Sequence, residues 1–60
     1  MISGQTMKSI AQLIRTAPQP VKDMVVNNWE RIQTHNEEWA TSLIDAICED
    51  DSELVSKLFE

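Results

Sequence analysis

A chain of 60 residues forms one small domain at most, and a domain of this size buries only about 60% of the surface its unfolded form exposes. The 42% apolar and 25% charged residues are typical of globular proteins and exclude a disordered segment. Cys48 and His35 are the only residues of their types, which excludes an internal disulfide and a tetrahedral zinc site. Because no apolar run reaches the roughly 18 residues of a membrane span, we expect a soluble chain in a reducing, cytoplasmic compartment.

Charge is unevenly distributed along the chain. Residues 1–22 carry Lys8, Arg15 and Lys22 and no acid, whereas residues 23–60 hold all ten carboxylates against two cations, a net charge of −8. A nucleic-acid partner requires a basic face that displaces counterions, and residues 23–60 have the opposite sign. Nucleic-acid binding is therefore excluded for that part of the chain.

The apolar periodicity predicts an all-α fold of three to four short helices. A first helix, from about Gln5 to Thr16, places Met7, Ile10, Leu13, Ile14 and Ala17 on one stripe. We interpret residues 1–17 as a basic amphipathic helical extension, residues 18–20 (Pro-Gln-Pro) as a linker and residues 21–60 as an acidic helical segment. The extension has the composition of a membrane-surface, targeting or partner-docking helix, but packing against the acidic segment is favoured.

A second helix is predicted from Pro20, which suits a first turn, to about Gln33. Its core-facing stripe consists of Val21, Val25, Trp29 and Ile32.

A third helix is predicted to begin after Asn36 as N-cap and to run through Cys48. It presents two apolar rows: Trp39, Leu43 and Ile47, and beside them Ala40, Ile44 and Cys48. On this pattern Cys48 is a small buried hydrophobe and not a redox thiolate. A short last helix is capped by Asp51 or Ser52 and ends near Phe59.

The run Met24-Val-Val-Asn-Asn-Trp-Glu-Arg-Ile32, followed by Glu38-Trp-Ala-Thr-Ser-Leu-Ile44, resembles the A and B helices of globins. Globins commonly carry a tryptophan on the first helix with an aliphatic residue three positions later, as at Trp29 and Ile32. Ala40 matches the small residue that lets the second helix cross another closely. The stretch Asp51-Ser-Glu-Leu-Val-Ser-Lys-Leu-Phe59 resembles the globin C-helix region, although it lacks the usual proline and is one residue longer.

The resemblance implies positions facing haem at Ile44 and Phe59. It also implies that haem and oxygen binding require later helices that carry the ligating histidine and are absent from this chain. We therefore expect no cofactor in the chain itself, with haem possible only in a complete parent protein.

Other chemistry is not favoured by the sequence. His35 lies in a predicted corner between helices and is interpreted as a surface histidine. The acids Glu49, Asp50, Asp51 and Glu53 lack the spacing and central glycine of a calcium loop and are interpreted as a solvated helix junction. No nucleophile, histidine and acid set is complete, so we expect no catalytic residues, no metal ligands and no enzyme activity.

The alternative function is a small acidic helical protein-protein interaction module without a cofactor. Three short helices have too many apolar side chains to cover, which predicts self-association or a protein partner. The predicted interface consists of Ile44, Val55 and Phe59. Trp29 and Trp39 are interpreted as core anchors between the second and third helices and not as binding hot spots.

Overall fold

The computed structural model describes all 60 residues and contains five helices and no strand, which confirms the all-α class. The helices are α1 (Gly4–Leu13), α2 (Gln19–Asn27), α3 (Trp29–Gln33), α4 (Glu37–Cys48) and α5 (Ser52–Leu58). None of them is long and apolar enough to cross a lipid bilayer.

Helix α1 is shorter than predicted because its carboxyl end unwinds before the linker. Ser3 is the N-cap, and its hydroxyl accepts a hydrogen bond from the Thr6 amide. After Ile14 the chain continues in turns, in which the amides of residues 15–17 bond to the third residue back at 3.3–3.4 Å. Pro18 and Pro20 then restrict the chain, and Pro20 lies in the first turn of α2, as predicted.

The single helix predicted between Pro20 and Gln33 is divided at Asn28, which explains why five helices form and not four. The Asn28 backbone leaves the helical region (φ −111°, ψ 19°), and its side-chain amide donates to the carbonyl of Met24 at 2.7 Å. This bond competes with the regular backbone pattern, a common behaviour of asparagine within helices.

Helix α4 has the predicted bounds and the predicted cap. The Asn36 side chain accepts from the Trp39 amide at 2.8 Å. At the other end Asp50 adopts a left-handed conformation (φ 55°), and the amides of Asp50 and Asp51 bond to the carbonyls of Ile47 and Ala46. This is a Schellman motif without its usual glycine. The reversal places Asp51 as N-cap of α5, one of the two predicted positions.

The core consists of eleven buried side chains, all of them apolar, and no polar side chain is buried. Every helix contributes to it. Its members are Ile2, Ile10, Ile14, Val21, Val25, Ile32, Ala40, Leu43, Ala46, Ile47 and Val55. The prediction of deep burial is confirmed for Ile32, Leu43 and Ile47.

Two burial predictions are wrong. Trp29 is only partly buried, although it packs against the core. Cys48 is exposed. Residues four apart on a helix are about 40° apart around its axis, so the row Ala40, Ile44, Cys48 rotates steadily away from the core. Ala40 is fully buried, Ile44 is partly buried, and Cys48 faces outward.

Helix α1 packs against α4, as favoured from the sequence, and α5 packs against both α4 and α2. The predicted second helix, which forms α2 and α3, does not have α4 among its principal packing partners, contrary to expectation. The accessible surface is 3972 Å². A compact monomer of 6.9 kDa is expected to expose about 4,000 Å². The exposed surface is therefore that of a compact chain, and the first 14 residues add Ile2, Ile10 and Ile14 to the core that the three later predicted helices share.

Candidate functional site

The three residues predicted to form an interface lie in different environments. Val55 is fully buried in the core, so it is not available to a partner of the folded chain and its assignment to an interface is wrong. Ile44 and Phe59 are partly buried and pack against the core cluster. Val55 and Phe59 are one helical turn apart, and this spacing alone did not indicate that Val55 would be buried.

Phe59 belongs to an aromatic cluster, which we define as His35, Trp39 and Phe59. The His35 and Trp39 rings are stacked, with centroids 3.8 Å apart and planes 10° from parallel. Phe59 meets Trp39 edge to face at 5.7 Å and 62°. His35 is partly covered by this stacking. Both contacts have the geometry that aromatic quadrupoles favour.

Two hydrogen bonds hold the end of α5 against this cluster. The Trp39 indole Nε1 donates to the carbonyl of Leu58, and Arg31 Nη2 donates to the carbonyl of Phe59, each at 3.3 Å. These carbonyls belong to the last turn of a helix and have no partner within it. The indole therefore joins α4 to α5.

One concave surface is open to solvent, and it lies where α2 meets α3. It is a shallow pocket of about 380 Å³ lined by residues 26–31. Val26 is 55% exposed there, more than any other large apolar side chain except Met1. Trp29 lies beside it, and Glu30 and Arg31 provide charge of both signs. The pocket can accept an apolar side chain of a binding partner, and its charged residues form a polar rim around that side chain.

A second polar feature joins the start of α1 to the start of α4. The Glu37 carboxylate accepts hydrogen bonds from the Ser3 amide and, at 2.8 Å, from the Thr6 hydroxyl. These bonds, with the Ser3 amide contributing most, hold the pKa of Glu37 below its ordinary value of 4.5. Glu37 is also in the first turn of α4, where a negative charge is favoured by the helix dipole.

No group of three or more His, Cys, Asp or Glu side chains has the arrangement of a metal site. The acidic junction at residues 49–53 is exposed to solvent. Comparison of the chain with protein-family models, with curated proteins and with solved structures finds no match.

Some of these features have a signal in the sequence, and others do not. His35 and Trp39 are four residues apart, a spacing that brings side chains together when a helix begins between them. The bond between Ser3 and Glu37 spans 34 residues and has no local signal. The exposure of Val26 follows from its position beside the buried Val25, but only once the helix orientation is known.

We predict that Trp39→Phe destabilises the chain by about 1 kcal/mol more than Trp29→Phe, as measured by urea unfolding followed by circular dichroism. Both substitutions remove an indole from a partly buried position, but only Trp39 uses its N–H, to bond the Leu58 carbonyl. Equal losses of stability would show that this hydrogen bond does not hold α5.

Proposed function

We propose that the chain is a globin-related helical segment, in which haem and oxygen binding require helices outside the chain. The support is the position and burial of residues that carry the resemblance. Trp29 begins α3, and Ile32 is fully buried three residues later. Ala40, at the position where the resemblance implies a close helix crossing, is also fully buried.

The connection from α4 to α5 further supports this proposal. Helix α4 is followed, through the reversal at Asp50, by the seven-residue α5, and Phe59 comes directly after that helix. The resemblance implies a short third helix followed by a phenylalanine on the haem. The chain departs from the globin pattern in three respects. It lacks the usual proline, it has a helix break at Asn28, and its helix α1 has no counterpart in the pattern.

In a complete parent protein, Ile44 and Phe59 would form part of an apolar wall beside haem. In this chain both side chains already pack against the chain's own core, and Phe59 contacts Trp39. His35 stacks on the same tryptophan and is assigned no ligand role. Later helices would thus have to supply the ligating histidine and the remainder of the pocket.

The proposal predicts that the coding sequence that follows residue 60 in the source gene encodes apolar helices, one of which carries a histidine. A product extended through those helices should bind haem in a 1:1 ratio with a sharp Soret band. Ile44→Asp should weaken this binding because it places a charge in the apolar wall, whereas the matched change Asp45→Asn on the exposed side should not.

The 60-residue chain itself should give only weak, nonspecific spectra with haemin. A downstream sequence without a histidine-bearing helix would contradict the globin proposal. A sharp low-spin complex of the 60-residue chain that is lost in His35→Ala would contradict the role assigned to His35.

A second candidate is a small helical interaction protein, and the specific observation that favours it is the open pocket at residues 26–31. Val26 and Trp29 expose apolar surface there within a rim that contains Glu30 and Arg31. Interface centres combine an apolar anchor, often a tryptophan, with a polar rim. This pocket replaces the surface predicted around Val55, which the core already covers.

For the second candidate we expect sedimentation to detect a dimer or larger species at micromolar concentration, and Val26→Asp to shift it toward monomer. Val26 is exposed, so the charge should leave the fold intact, which circular dichroism checks. The matched control is Leu54→Asp, at a side chain that is 38% exposed on α5. Loss of association in the control alone would exclude the Val26 surface, and a monomeric wild-type chain would contradict self-association.

A further inference from the structure

The first turn of α1 is attached to the rest of the chain differently from its second half. Ile10 and Ile14 anchor the later part of α1 with 0% and 8% of their surfaces exposed. The segment Met1–Met7 buries Ile2, at 7% exposed, and packs the partly buried Met7 against the core, while Gly4 and Gln5 face solvent. The polar bonds that this turn makes outside α1 both end on one carboxylate, that of Glu37.

Glu37 also stabilises the cap of α1. Its Oε2 accepts from the Thr6 hydroxyl, which in turn accepts from the Ser3 hydroxyl at 3.0 Å. The Ser3 hydroxyl accepts from the Thr6 amide and so caps the helix. One carboxylate therefore orients both the backbone and the hydroxyls of the first turn, across 31 to 34 residues of sequence.

We propose that Met1–Met7 is a pH-sensitive cover over the start of α4, docked while Glu37 is ionised and released when Glu37 is protonated. Release uncovers Ile2 and the apolar surface beneath it, while Ile10 and Ile14 keep the rest of α1 in place. The device is independent of the globin and interaction proposals, because it depends only on contacts within the chain.

The direction of the pH effect follows from the hydrogen bonds. A carboxylate accepts from both donors at once, whereas a carboxylic acid carries a proton on one oxygen and loses the charge that strengthens both bonds. The docked turn lowers the pKa of Glu37 from 4.5, so docking is favoured above that value and this contribution is lost as pH falls through the lower, docked pKa.

Few other charges influence this carboxylate. The amino group of Met1 adds a small attraction. Lys8, the one cation within α1, is exposed to solvent, and Glu38 is the neighbouring acid on α4. Both hydrogen bonds from this turn end on Glu37, so an acid transition in the turn reports on that carboxylate.

The test is amide hydrogen exchange by NMR on the full chain, comparing wild type, Glu37→Gln and Glu38→Gln. Glutamine has nearly the shape of glutamate but offers only one acceptor oxygen. The Thr6 and Met7 amides should exchange roughly 3- to 10-fold faster in Glu37→Gln, as expected for the loss of a hydrogen bond at a solvent-exposed, screened site. Glu38→Gln removes the same charge from the same helix turn and should leave these rates unchanged.

The Ala40 amide distinguishes release of the turn from other effects, since it bonds to Asn36 in the first turn of α4. Its exchange should remain slow in both variants. In wild type, Thr6 and Met7 protection, corrected for intrinsic exchange, should fall below pH 4.5 before that of Ala40, and Glu37→Gln should abolish this step. Equal acceleration in the two variants, acceleration of Ala40 with Met7, or an acid step that persists in Glu37→Gln would overturn the proposal.

Discussion

The packing of α1 on α4 is the contact on which the rest of the fold depends. Helix α1 and its preceding residue Ile2 contribute the core side chains that the acidic segment lacks, with Ile10 fully buried. The core contains no polar side chain, so its stability comes from apolar burial without the specificity of a buried polar pair. In so small a domain, the burial of two or three isoleucines is comparable to the whole free energy of folding. A chain of this length therefore has no dispensable helix.

This dependence explains why the polar contacts lie at the helix ends. The side chains of Ser3, Asn36 and Asp51 cap three helices, and Trp39 and Arg31 bond the last carbonyls near α5. These backbone groups would otherwise remain unpaired at the termini of short helices, where the fraction of unsatisfied groups is largest. Glu37 joins α1 to α4, because its carboxylate binds the cap of α1 and it is the first residue of α4.

The sequence predicted what depends on local rules, and failed where tertiary packing decides. The bounds of α4 and its Asn36 cap follow from side chains within four residues of one another, and both were predicted correctly. The break at Asn28 was missed because asparagine is tolerated in helices until its side chain bonds a nearby carbonyl. Val55, predicted at an interface, is buried, and Cys48, predicted to be buried, is exposed. Both residues lie close to an apolar stripe, and the stripe alone does not determine how the helix is rotated about its axis. Phe59 was named from the sequence as a haem-facing and interface position, and that role stays a prediction. Its contact with Trp39 has no local signal, because it depends on how α5 folds back on α4.

The role of α1 is tested most directly by Ile10→Ala, with urea unfolding followed in parallel by circular dichroism and tryptophan fluorescence. Both tryptophans lie outside α1, so fluorescence reports on α3, on α4 and on the end of α5 that Trp39 contacts. If α1 completes a single core, removing the fully buried side chain of Ile10 costs about 2–5 kcal/mol, and both midpoints fall together. A helical signal that weakens while the fluorescence midpoint stays at its wild-type value would contradict this, because α1 would then be only an extension on an independently folded segment.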